Sequence, residues 1–185
     1  MQGWTGGLGL DFRVNSSIMV DQLGVFDNGN LAKLFQDHAG VSIQIYTTAG
    51  VAVGPLVSLI PSTPGVTEVG GDAFLAVTPF LLTPGDYSVV AFNVGDYNTL
   101  GANPNIYDTM NDGGGLISFI GSGRFSSGSG FPTHVDGGPV DRYLAGTFDF
   151  VSEEEFLATP EPSTFAFIGL GLVGLFGAAR RKRSA

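Results

Sequence analysis

The chain has 185 residues, with 17 acidic against 8 basic side chains and a formal net charge of −9. An acidic balance of this kind argues against nucleic acid as a partner, because phosphate binding needs a basic surface, and the lack of cysteine excludes disulfides, thiolate metal sites and cysteine nucleophiles. Low charge (14%), 29 glycines and 11% aromatics suit one all-β domain with many turns rather than a helical or disordered chain.

The chain opens on Met1-Gln2-Gly3-Trp4-Thr5-Gly6-Gly7 and moves directly into strand-like sequence. Leu8, Leu10, Phe12 and Val14 alternate with Gly9, Asp11 and Arg13, the period of two of a half-buried strand. Further strands are predicted at Ile18–Phe26, Val41–Thr47, Phe74–Leu82, Tyr87–Val94, Gly115–Phe125 and Tyr143–Phe150. Turn chemistry separates them at Asp27-Asn28-Gly29-Asn30, Ala49-Gly50, Pro64-Gly65, Thr83-Pro84-Gly85-Asp86 and Asp112-Gly113-Gly114. Short strands punctuated in this way predict an antiparallel β-sandwich or jelly-roll-like body over 1–151. Leu31–Phe35 is expected to add a helical turn or a loop on the sheet, and the Gly/Ser-rich stretch 121–139 a mobile or functional surface loop. Residues 152–159 read as an acidic linker, in which Ser152-Glu153-Glu154-Glu155 has the capping-box pattern of a helix start or else forms a charged spacer.

Chemistry is sparse along this body. His38 and His134 stand far apart in different contexts and read as surface loop residues, and neither H-E-x-x-H nor G-x-S-x-G occurs. Two suitably spaced carboxylates would suffice for a glycosidase, but most acids lie beside Gly or Asn, where their ordinary role is backbone hydrogen bonding, so no enzyme is expected. Calcium is the open alternative among cofactors: Asp96, Asp108, Asp112, Asp136 and Asp141 fall in loops and supply oxygen ligands. Tyr97, Tyr107, Phe125, Phe131 and Tyr143 lie in or near the same loops and would stack on sugar rings if exposed, which makes a carbohydrate-binding module a second alternative. Asn15-Ser16-Ser17 is also a glycosylation sequon.

The last segment, 160–185, differs from everything before it. Pro160-Glu161-Pro162 is followed by an apolar run, Phe165–Ala179, and then by Arg180, Arg181, Lys182 and Arg183. Proline on both sides of Glu161 removes two backbone donors and disfavours helix before each ring, so an extended, accessible segment is expected there. As a helix the apolar run would be roughly 22 Å long, short of the ~30 Å hydrocarbon core. Ser163 and Thr164 lengthen it, and the basic side chains can lie along acyl chains with their charges at the headgroups, giving a transmembrane helix at 163–179 and a cytoplasmic basic tail at 180–185. Upstream of Pro160 four basic residues face sixteen acidic ones, about −12, whereas the tail carries about +3. Because Lys and Arg stay on the cytoplasmic side, the body is expected outside. Gly169-Leu170-Gly171-Leu172-Val173-Gly174 matches G-x-G-x-x-G, but no strand, helix or acidic residue follows to make a dinucleotide site. In a membrane helix Gly171, Gly174 and Ala178 instead offer a smooth contact face.

The order of Pro-Glu-Pro, Gly/Leu-rich run and basic end resembles the PEP-CTERM sorting signal of Gram-negative bacteria over residues 160–183. The resemblance implies export, a hold in the inner membrane, and recognition of Pro160, Glu161 and Pro162 by the membrane-embedded enzyme exosortase, with release to the cell surface or beyond. It also implies an exopolysaccharide or biofilm setting, with extracellular polysaccharide as a partner. Asp11–Ser16 and Leu23–Asp27 are similar to sandwich domains of other carriers of this signal. Export needs an N-terminal leader with a basic and an apolar region, so the true start is expected upstream of Met1.

Overall fold

The computed structural model describes residues 4–27, 29–30, 40–94, 111–138, 141 and 143–158. They form ten strands: β1 (Trp4–Val14), β2 (Ile18–Phe26), β3 (Val41–Thr47), β4 (Ala52–Leu59), β5 (Thr67–Val69), β6 (Asp72–Leu82), β7 (Gly85–Val94), β8 (Ile117–Phe125), β9 (His134–Val135) and β10 (Gly146–Ser152). A six-stranded sheet has the order β4-β3-β7-β1-β8-β9, and a four-stranded sheet the order β10-β2-β6-β5. All pairs are antiparallel. The all-β expectation therefore holds for the body.

Its frame is a pair of bent arms. β1 pairs with β7 and β2 pairs with β6, so the stretch 4–26 runs antiparallel to 72–94 across both sheets. Both arms change sheet at adjacent corners, Asn15-Ser16-Ser17 beside Thr83-Pro84, since Val14 pairs with Gly85 and Ile18 with Leu82. Tyr87 closes one corner by donating its hydroxyl to Thr83 O at 2.9 Å, and Asn15 closes the other by donating its amide to Gly115 O and Ser118 Oγ at 3.0 and 2.7 Å. Arg13 and Asp86 add an exposed ion pair at 2.6 Å.

The alternation of β1 does what its period dictates. Leu8, Leu10, Phe12 and Val14 all enter the core, where they meet Ile18, Val20, Leu23 and Val25 of β2, Ile43 and Ile45 of β3, and Leu82 of β6. Phe12 stands at the centre, its ring stacked on Tyr87 at 5.8 Å and tilted on Phe148 at 4.8 Å. Such pairs add stabilisation beyond area burial.

Several expectations need correction. β4 and β5 fall where no strand was expected, and β4 contains Gly54-Pro55. A proline is tolerated because β4 is an edge strand, and the register shifts between Ile43 and Ile45 at the same place. The carbonyls released there are taken by Gln44, whose Nε2 lies 3.1–3.3 Å from the oxygens of Val53, Gly54 and Pro55. The stretch 121–139 is not one long loop: β8 continues to Phe125, and His134-Val135 returns as β9 on its edge, pairing with Phe125 and Arg124. His134 is accordingly a strand residue, stacked on Phe125 at 5.4 Å. At the end of the body, Gly146 rather than Tyr143 starts the last strand.

The chain divides into two compact units, Met1–Ser152 and Glu153–Ala185. In the second, α1 (Glu153–Ala158) carries Glu153, Glu154 and Glu155 in its first turn. Three carboxylates there complement the positive end of the helix dipole, so the helix alternative for this acidic stretch is the one taken. Leu31–Phe35 and the expected membrane helix at 163–179 lie outside the described residues. No described helix is long and apolar enough to cross a membrane.

Candidate functional site

The body contains a pocket of about 400 Å³ that draws on both sheets. From the core side come Leu10 of β1 and Ile117 and Phe119 of β8. Phe148 and Phe150 of β10 form a tilted pair at 5.5 Å and supply aromatic wall. The outer face of the four-stranded sheet contributes Phe74, Thr67, Thr147 and the hydrogen-bonded pair Gln22 and Asp149, whose side chains meet at 3.4 Å.

Two glycines make room for these walls. A side chain at Gly24 would meet Ala73 O at 2.7 Å, Phe74 Cδ1 at 2.8 Å and Thr147 Cγ2 at 2.9 Å, so the aromatic ring lies directly over bare β2 backbone. Gly113 has φ +63°, and a Cβ there would come within 2.6 Å of the Phe150 ring. Both the turn conformation and the close approach require glycine at 113.

Acidic groups gather at one end. Asp72 lines the pocket, and its register partner Phe26 is followed by Asp27. Asp27 is 2% exposed, and its Oδ1 accepts from Gly29 N at 2.9 Å. Burial pushes the Asp27 carboxyl up to about 6, Glu68 of β5 adding to the rise. Burial, with the charge of Asp27 second, pushes Asp72 up to about 7. Desolvation penalises the charged form and a neighbouring acid penalises it again. Asp21 is raised in the same sense by burial and by Asp149.

The loop carboxylates proposed for calcium are partly described. Asp112 Oδ1 accepts from Gly114 N at 3.0 Å, Asp136 Oδ1 from Gly138 N at 3.0 Å, and Asp141 Oδ1 from Gly121 N at 3.1 Å. The first two are the turn roles their glycine-rich contexts favour, whereas Asp141 reaches twenty residues back to Gly121 in β8. Asp136 Oδ2 also accepts the Tyr143 hydroxyl at 2.6 Å. Among the described residues no three acids or histidines stand together so as to hold a metal ion; Asp96 and Asp108 lie outside them.

The loop aromatics are not an exposed platform where they are described. Tyr143 is 8% exposed and belongs to the core. Phe125 packs edge-on against Trp4 and Tyr143, and Phe131 lies on Tyr46 at 5.2 Å with the Arg124 guanidinium 5.4 Å from its ring centre. Tyr97 and Tyr107 are outside the described residues, as are His38 and the whole tail, including Pro160, Glu161, Pro162, Gly171, Gly174, Ala178 and the basic cluster 180–183.

Sequence reasoning did not single out Asp27, Asp72 or Asp149. The available signal was weak: Asp27 and Asp72 sit at strand ends, where they read as ordinary turn acids, and Asp149 is simply the polar position of an alternating strand.

The described body is thus an all-β domain with a side pocket, joined in sequence to a tail of a different kind. Residues 158–183 match the model of the PEP-CTERM protein-sorting motif. A carrier of this motif is a sorted protein, exported and processed by exosortase at the membrane, with a cell-surface or extracellular fate. No curated protein and no solved structure matches the chain.

Proposed function

We propose that the protein is a non-enzymatic surface or extracellular-matrix component, held in the inner membrane by a helix at 163–179 and cut near Pro160–Pro162. The observation that carries this reading is the motif match over 158–183. The charge contrast between body and tail, about −12 against +3, gives the direction: Arg180–Arg183 remain in the cytoplasm while the acidic body crosses. An apolar run of fifteen residues is marginal as a permanent anchor, which suits a temporary hold before cleavage. Gly171, Gly174 and Ala178 would let the helix approach the processing enzyme closely.

A structural rather than catalytic body is supported by how its acids are engaged: Asp112 and Asp136 accept backbone N–H groups of their own loops, Asp141 accepts that of Gly121 in β8, and Asp11 is paired with Arg124. An exopolysaccharide or biofilm setting follows from the sorting class. The test is a Pro160→Ala/Pro162→Ala double variant expressed in a host with active exosortase. Accumulation of the full-length form in the inner membrane is expected; unchanged release of the shortened product would overturn the reading.

A further inference from the structure

We propose that the edge of the six-stranded sheet formed by β4 is a self-association surface, on which the β4 strand of a second copy of this chain pairs antiparallel about a two-fold axis. The inference goes beyond the sorting reading and does not depend on it.

β4 has the sequence of an inner strand at an outer position. In Leu56-Val57-Ser58-Leu59-Ile60, Val57 and Leu59 enter the core, while Leu56 and Ile60 on the other face are 60% and 47% exposed. Apolar residues on both faces suit a strand that is covered on both, and a strand added at this edge would give Leu56 a second cross-strand neighbour. Edge strands are ordinarily blunted by charge, shortness or a covering element, because their free N–H and C=O groups template further pairing. The other three edges follow that rule: β5 carries Glu68, β10 carries Asp149, and β9 has two residues. β4 carries no charge. Its irregularity at Gly54-Pro55 lies upstream and leaves Val57, Ser58 and Leu59 in regular register with β3. Just beyond, the turn engages the main chain of Ile60, whose N donates to Thr63 Oγ1 at 2.8 Å and whose O accepts from Thr63 N at 2.9 Å. The free edge at 56–59 is roughly 14 Å long, which suits a reversible contact rather than an obligate dimer.

Charge identifies the occupant. All 17 acidic and 8 basic side chains lie outside 39–67, the stretch that holds β3 and β4. The body as a whole is strongly acidic, about −12 before Pro160, so two copies approaching by most faces repel each other. At the β4 edge they meet without that repulsion, and a charged partner would find no counter-charge there. An uncharged strand edge that alternates donors and acceptors is complementary to itself, as a two-fold contact requires.

The chain has no cysteine, so a single introduced cysteine reports its own contacts. The full chain, kept in a polyoxyethylene detergent, is treated with a short bis-maleimide as Ser58→Cys, on the exposed face of β4, and as Ser129→Cys, in the exposed stretch after β8. Ser58→Cys is expected to give a cross-linked dimer in several-fold higher yield than Ser129→Cys. Sedimentation of the unaltered chain over a wide concentration range should show a monomer–dimer equilibrium. Leu56→Lys should weaken that dimer about tenfold or more, because a two-fold contact then loses two apolar side chains and gains two like charges. Leu81→Lys, at a 42% exposed position of β6, should leave it unchanged. Equal cross-linking from the two cysteines, a chain monomeric at every concentration, a dimer that Leu56→Lys leaves intact, or a Leu81→Lys loss as large as that of Leu56→Lys would each overturn the proposal. The cross-linking and the concentration series keep Leu56 in place, so they stand even if Leu56→Lys fails to fold.

Discussion

Asp11 and Arg124 show how much one pair can carry. Arg124 Nε donates to both carboxylate oxygens of Asp11 at 2.7 and 2.8 Å, and the Asp11 side chain is 2% exposed. Two ions removed from water must satisfy each other, and taking away one leaves an uncompensated buried charge. Arg124→Met is therefore expected to destabilise the body by about 3 kcal/mol in urea unfolding, with much of the loss recovered in Asp11→Leu/Arg124→Met. The opposite sign holds at Asp27 and Asp72. Their carboxyls have folded-state values of about 6 and about 7, above the ordinary 3.8, so the folded protein binds more protons than the unfolded chain between about pH 4 and pH 7. Stability from this source is present below the unfolded value and is lost as pH rises through the folded ones. The melting temperature should fall between pH 5 and pH 8, and Asp72→Asn should raise it at pH 8 and flatten the profile. A melting temperature independent of pH over that interval would contradict the burial assigned to these groups.

At the scale of the element, β4 departs furthest from simple pattern. Gly54 has φ +72°, and a Cβ there would stand 2.5 Å from the Phe80 ring. Gly54→Ala should cost about 2 kcal/mol, from left-handed strain and from the displaced aromatic together; denaturant midpoints measure it. The same residue explains why β4 was not legible. Gly-Pro inside a run reads as a break, and its acceptance depends on an edge position and on Gln44 of a different strand capturing the freed carbonyls. β2 and β3 were legible to the residue, because Ile18, Val20, Ile43 and Ile45 follow the pleat and bury on one face. β9 was not, since two residues carry no period and His134-Val135 becomes a strand by pairing with Arg124 and Phe125. The site was less visible still. Phe148 and Phe150 read as ordinary core alternation, and what leaves the Phe150 ring open to the pocket is the absence of a side chain at Gly113.

For the whole molecule, the two compact units follow different rules. The tail is read as a linear address, so its prediction concerns transport: the double proline variant should hold the full-length protein at the membrane, as fractionation would show. The body is read through its packing, and its predictions concern stability and self-association. The sequence by itself determined the sorting class, the all-β character and the inward face of β1, because each depends on neighbouring residues: a motif, an apolar run, a period of two. The tertiary structure decided which strands share a sheet, that Asp11 meets a residue 113 positions away, and that Asp27 comes near enough to Glu68 and to Asp72 for their charges to act on one another. Those outcomes depend on strand register and sheet order. Neither can be read from a local pattern, because alternation specifies which face a side chain takes but not which strand will lie beside it.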